Sequence, residues 1–437
     1  MILEDGLLAR VVIAASSLSG HVLPMVTIGA HLQDLGHHVV VLTDAGHRDV
    51  VDRCGLSFLP LEPAGCVSAP PRSPLTGVLP ALGRRYLLGK ADVRSTFVAP
   101  LSAQYRALAN AVEGEAADAV LVDLAFTGAL PFVLAPRPRP AVLVCGVGPL
   151  TLSSTDTPPF GMAWEPRPGM DYSRMQAVVH RVLFGDLATE LDAALRDVGA
   201  PHCPVPLMDW PRLADRLLQL TVPGFEYPRR DLPPTVEFVG PVLPARSPGF
   251  RAPRWLDDVR RAGTVVHVTQ GTLDNGDLDR LIGPTLDGLA REDDIAVVAT
   301  TGRRDGPRLS TTIPANAHVA EWIPYSALLP RVDVMITNGG YGGVHHALSY
   351  GVPLIVAGEA SDKSEVAVRV EYAGVGLNLK TADPSPRQIA AAVREVCGAP
   401  GYREAAARVG GEIAATAPLD RIAAVLDEEV ARIPDPL

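Results

Sequence analysis

The sequence predicts an α/β protein made of two doubly wound domains facing each other across a cleft. Apolar runs of strand length alternate with amphipathic stretches of helix length, the pattern of a parallel sheet covered by helices. The alternation stops at a proline-dense segment, Glu237 to Pro253, and then starts again. The chain has 437 residues, 47% hydrophobic and 20% charged, which suffices for more than one core and is too apolar for a disordered chain.

Taken in order, Arg10–Ala15 (RVVIAA) is a β-branched strand, Ser16–His21 a polar turn, and Val22–Leu35 a helix with Pro24 in its first turn. Gly36 closes that helix and His38–Thr43 is the next strand; Leu56–Leu61, Ala119–Asp123 and Ala141–Cys145 follow as strands. Two stretches, 62–96 and 146–172, lack clear periodicity and are rich in Pro and Gly. Loops of that length on an α/β scaffold serve as walls of a binding cleft or are plain insertions. Pro241, Pro244, Pro248 and Pro253 mark residues 237–253 as a linker. Beyond it come strand Thr264–Thr269, helix Leu278–Ala290, and strands Ile295–Thr300 and Val332–Thr337. Helix Gly343–Tyr350 and strand Pro353–Val356 come next. Helices are expected over Ser364–Ala373, Pro386–Val396, Tyr402–Ala415 and Leu419–Ile433. The domains expected are 1–236 and 254–418, with ligands outside the carboxyl ends of the strands.

Composition excludes several classes. The formal charge of −10 has no basic stripe, which argues against nucleic acid or an anionic membrane as partner. Five scattered cysteines without a CxxC pair suit a reducing cytosol rather than a disulfide scaffold or zinc ribbon. The start, MILEDGLLARVVIAASS, has acids where a signal peptide needs Lys or Arg. The most apolar window, Ala119–Ala135, is broken by Asp123 and Pro131. A cytoplasmic protein is expected.

The segment Asn338-Gly-Gly-Tyr-Gly-Gly-Val-His-His-Ala347 follows a strand and opens a helix. Gly339, Gly340, Gly342 and Gly343 remove side chains there, so backbone N–H groups can approach an anion at the positive end of the helix. A diphosphate is the natural guest; a tight turn that needs glycine only for its backbone angles is the alternative. Upstream lies Glu321-Trp322-Ile323-Pro324, and downstream Ser361-Asp362-Lys363. In this combination the C-terminal half resembles the donor-binding signature of the GT-B nucleotide-sugar glycosyltransferases, specifically the UDP-glycosyltransferase family with its bacterial natural-product enzymes. Gly20-His21-Val22-Leu23-Pro24 resembles that family's G-H-x-x-P element in the N-terminal half.

The resemblance implies two Rossmann-like domains and a final segment, 419–437, returning to the N-terminal one. It implies that Trp322 stacks on the nucleobase, a contact worth about 1–3 kcal/mol, and that Thr272, after a strand, contacts phosphate. Gly339, Gly340, Gly342 and Gly343 would form the diphosphate nest, and Asp362, with Lys363 beside it, would read sugar hydroxyls. A core tryptophan, a helix-capping threonine and an exposed charge pair are the plainer readings of Trp322, Thr272 and Asp362. Three positions depart from the family pattern: Asn338 stands where His is common, His346 where an acid reads the ribose, and Lys363 where Gln is usual. The choice between UDP and dTDP sugars therefore stays open.

Glycosyl transfer to a hydroxyl needs a base for the acceptor proton, and histidine is poised for that near neutral pH. His21 sits after the first strand, and the resemblance makes it the base. Asp123, closing an apolar strand at the same sheet edge, would orient it; capping the turn near Phe126 is the alternative. The adjacent pairs His37–His38 and His345–His346 do not make an HxxxH metal site, and Asp277-Leu278-Asp279 opens a helix rather than ending a strand, so no metal is expected.

The function implied is inverting, metal-independent transfer of a sugar from a UDP or dTDP donor to a hydroxyl of a small natural-product aglycone, with no cofactor beyond the donor. Homodimer formation is left open. Rival readings are a lipid-linked glycosyltransferase, a sugar-nucleotide 2-epimerase and a non-catalytic nucleotide-sugar-binding partner.

Overall fold

A strand covered on both faces must be apolar along its length, and the runs that meet this condition form the middle of two sheets. The computed structural model describes residues 8–66, 81–243, 249–271, 275–303, 309–359 and 362–433. The N-terminal sheet contains β1 (Arg10–Ala14), β2 (His38–Asp44), β3 (Ser57–Leu61), β4 (Ala119–Asp123), β5 (Ala141–Gly146), β6 (Arg216–Gln219) and β7 (Val236–Phe238). Their order is β3-β2-β1-β4-β5-β6-β7, with every pair parallel. The second sheet contains β8 (Thr264–Thr269), β9 (Ile295–Thr300), β10 (Ala317–Ala320), β11 (Val334–Thr337), β12 (Leu354–Val356) and β13 (Gly376–Asn378). It is also wholly parallel, in the order β10-β9-β8-β11-β12-β13. Every residue of β4, β5 and β11 is buried.

Strand order reverses once in each sheet, between β1 and β4 and between β8 and β11. Loops diverge there and leave a crevice at the carboxyl edge. Both sequence motifs lie at these two places.

The structure revises several expectations. The first helix is Ser19–Asp34, so His21 stands in its first turn rather than in a preceding loop. The amides of His21 and Val22 both donate to the Leu18 carbonyl, which starts the helix without a side-chain cap. Residues 81–96 are not a loop: a helix spans Ala81–Val93, a wide five-residue turn Arg94–Val98, and a further helix Leu101–Glu115. Gly83 and Gly89 each weaken a helix by about 1 kcal/mol. Tertiary contacts offset them, for Tyr86 and Lys90 both donate to the Leu183 carbonyl. Residues 67–80 lie outside the described residues, whereas 147–172 is irregular apart from its turns. Glu237 and Phe238 belong to β7 rather than to the linker. The strands β6, β7, β10 and β13 have three or four residues each, too short for periodicity to mark them.

The halves are tied at several points. Ile422, Val425 and Leu426 of the helix Pro418–Val430 enter the apolar core of the N-terminal sheet. On that helix Glu429 pairs with Arg216 of β6 at 2.7 Å. In return, Val222 and Phe225, between β6 and β7, are buried in the core of the C-terminal sheet. His345 locks this insertion: its Nε2 lies 2.6 Å from the Thr221 hydroxyl and its ring 4.9 Å from that of Phe225.

Candidate active site

The N-terminal crevice is built from the chain leaving β1 and the last residue of β4. These strands are neighbours with Ala14 beside Val122, so Asp123 arrives next to the turn that leads into His21. A carboxylate sealed from water needs partners, and Asp123, with no exposed surface, has several. Its Oδ2 accepts from the Ser16 amide at 2.5 Å. Its Oδ1 accepts from the Ala125 amide at 2.8 Å and the Ser16 hydroxyl at 3.2 Å, and lies 2.7 Å from His21 Nδ1. Ser16, absent from the sequence-based site, therefore braces the carboxylate with both backbone and side chain. Its only signal was a polar residue directly after an apolar strand.

With Asp123 on Nδ1, the neutral imidazole of His21 carries its lone pair on Nε2. The side chain is 19% exposed, against none for Asp123. Burial alone would lower the His21 pKa, but the charge and hydrogen bond of Asp123, with the further charge of Asp362, outweigh it and raise the value above 6.5.

Asp362 comes from the other half of the molecule. It directly precedes the helix Lys363–Tyr372 and forms no side-chain cap there. A Cβ added to Gly148, in the loop after β5, would lie 3.7 Å from Asp362 Oδ2. Burial raises the Asp362 pKa, against the opposing charges of His21 and Lys363. The acidic residue of the C-terminal half thus faces the histidine of the N-terminal half, with Lys363 next to it.

The C-terminal crevice lies between the ends of β8 and β11. Asn338, nearly buried, donates from Nδ2 to the Gln270 carbonyl at 2.6 Å and so ties the two strand ends together. Gly339 has φ +88°, and a Cβ there would approach Val356 Cγ1 to 2.9 Å; only glycine fits. Gly340 is the N-cap of the helix Tyr341–Ser349, and no side chain caps it. Gly342 has open space where its Cβ would be, and Gly343 lies below the Tyr325 hydroxyl. The first amides of this helix are left for a ligand.

Trp322, after β10, is 57% exposed, which excludes a core role for its ring. His346 packs at 4.9 Å against Tyr325, and burial, helped by His345, lowers its pKa to about 4. It therefore offers a neutral imidazole where the family pattern has an acid. Thr272 lies outside the described residues. Asp277 accepts from the Asp279 amide and opens a short turn, Leu278–Arg280, before the helix Ile282–Leu289. Among the described residues no three His, Cys, Asp or Glu side chains converge. No described helix is long and apolar enough to cross a membrane.

The fold is thus two doubly wound parallel sheets, each with one switch point at its carboxyl edge. A solved glycotransferase of kitacinnamycin matches with a TM-score of 0.72 at 22% identity, covering 97% of this chain and 99% of the other. Residues 284–428 match the family model of the erythromycin biosynthesis protein CIII-like C-terminal domain. A 4'-demethylrebeccamycin synthase from Lentzea aerocolonigenes is 38% identical over 419 residues, 93% of this chain and 96% of its own length. The UDP-glucosyltransferase A1 of Starmerella bombicola is 34% identical over 91% of this chain and 87% of its own length. The chain belongs to the UDP-glycosyltransferase family and is a glycosyltransferase.

Proposed function

We propose that this enzyme moves a sugar from a uridine or deoxythymidine diphosphate donor to a hydroxyl of a natural-product aglycone, with inversion and without a metal. The N-terminal half takes the acceptor and the C-terminal half the donor. The observation that carries the reading is the 2.7 Å contact of His21 Nδ1 with the buried Asp123 carboxylate. It leaves Nε2 as a base at the cleft, and a protein that only bound nucleotide sugars would have no use for one. The natural-product acceptor is supported by the names of the rebeccamycin and kitacinnamycin relatives.

His21 Nε2 removes the acceptor proton as the hydroxyl oxygen attacks the anomeric carbon. The bond from that carbon to the diphosphate oxygen breaks on the opposite face, and its electron pair leaves on the diphosphate. Asp123 stabilises the imidazolium, while the amides opening the helix Tyr341–Ser349 receive the new negative charge. Asp362 holds sugar hydroxyls with Lys363, and Trp322 stacks on the base. The hydroxyl of Thr272 and the amide of Asn338 take phosphate oxygens. The carboxylate–imidazole pair and the helix end supply the base and the counter-charge from protein groups, so a metal ion has no task left in this scheme.

A base contributes about 10²–10⁴-fold. His21→Ala is expected to lose that much transfer and to keep nucleotide affinity within a few-fold, measured by calorimetry. Equal loss of both would make His21 a structural residue.

A further inference from the structure

Phe250 lies in the segment joining the two halves, away from every motif that suggested the donor site. Its ring stands edge-to-face with that of Trp322, centroids 6.1 Å apart and planes at 88°. Five residues on, Trp255 lies flat against His318 of β10, centroids 4.3 Å apart and planes at 4°. His318 and Trp322 belong to one short stretch, β10 and its exit, so one ring of the linker, Phe250, and one from the short helix that follows it, Trp255 of Trp255–Asp258, hold the piece of chain that presents the indole. Phe250 and Trp255 are themselves half-buried against the apolar cluster of the C-terminal sheet. Trp322 still exposes 57% of its surface.

An exposed indole with two free torsions loses rotamer freedom when a base stacks on it. An edge-to-face neighbour removes part of that freedom beforehand, and such aromatic pairs have a preferred geometry. We infer that Phe250 is a positioning residue of the nucleobase site, holding the Trp322 indole in the orientation that stacks on the donor base and making the interdomain linker part of that site. The inference rests on the proposed stacking role of Trp322. It adds a residue from outside the donor domain's own motifs and states how that residue acts: through Trp322, not by touching the nucleotide.

The test is a double-mutant cycle by calorimetry on the full chain, titrated with UDP and with dTDP, the tighter of the two being used for the variants. Phe250→Ala should weaken nucleotide binding about 3- to 10-fold, the range set by one ordered side chain and one aromatic pair. In a Trp322→Ala background the same change should have no further effect, since the group it aligns is gone. Phe250→Leu keeps the apolar bulk and the fold but not the ring edge, and should show the same weakening with an unchanged melting temperature. Weakening of equal size in both backgrounds, or none in Phe250→Ala, overturns the inference alone. Unchanged affinity in Trp322→Ala overturns the nucleobase assignment and the inference with it.

Discussion

Arg369 Nε meets Glu226 Oε2 at 2.9 Å across the boundary between the two halves, and each side chain is only 1% exposed. The same guanidinium reaches Glu365 Oε2 at 2.9 Å, one turn earlier on its helix. Glu365 Oε1 in turn accepts from the amides of Gly161 and Ala163 in the irregular stretch after β5. The helix that begins beside Asp362 and Lys363 is therefore fastened to a segment of the N-terminal half expected to wall the acceptor pocket.

Removing one member of a buried ion cluster strands the others without partners. Arg369→Ala should cost about 3–5 kcal/mol, seen as a large fall in melting temperature. Replacing Arg369 and both glutamates together by apolar residues of similar size should be far milder. A negligible effect of the single change would show that the cluster is open to water.

The pH dependence of transfer follows from the sign of the His21 shift. The base acts when neutral, so kcat/KM falls as pH drops through its pKa, which stands above 6.5. The acidic limb should therefore lie on the alkaline side of 6.5. Asp123→Asn leaves burial opposed only by the charge of Asp362 and should move that limb to lower pH while reducing the plateau rate by about 10²–10⁴-fold. A limb that stays in place would detach Asp123 from the titration.

Gly339→Ala forces a Cβ into a residue with φ +88° and against Val356. The loop must shift, and with it the amides that open the following helix. Donor-nucleotide affinity should fall at least about tenfold, while thermal stability falls by only about 1–3 kcal/mol, the usual cost of one strained residue. Full retention of affinity would take the glycine loop out of the phosphate site.

Turnover measured with and without EDTA should be equal, because imidazole, carboxylate and helix amides supply the required charges. Strict dependence on Mg²⁺ would sink the proposed chemistry.

Much of this was legible in the sequence because the physics behind it is local. The central strands had to be continuous apolar runs, and Ala119–Asp123 and Ile295–Thr300 match their predicted bounds. The glycine loop stood out as a cluster of glycines between a strand and a helix, Asp123 as a carboxylate closing an apolar strand, and His21 through its resemblance to the family's G-H-x-x-P element, which also gave the pair its proposed role. What stayed hidden depends on contacts distant in sequence. The helix Ala81–Val93 is held by the carbonyl of Leu183, and nothing in its own residues announces that. Ser16 and Phe250 are ordinary residues whose importance comes from what folds against them. His345 and His346 look alike in sequence, yet one fastens the halves together and the other faces Tyr325.

The helix Pro418–Val430 completes the apolar core of a half whose last strand ends far earlier in the chain, at Phe238. During synthesis the N-terminal sheet therefore emerges with a gap over β5 and the first helix, which close only after the donor half has been made. A nascent chain can form its strands in order, but its first half reaches full stability last. Chains interrupted before residue 418 should accordingly expose apolar surface and be drawn to chaperones or aggregate, even where the donor half is already intact.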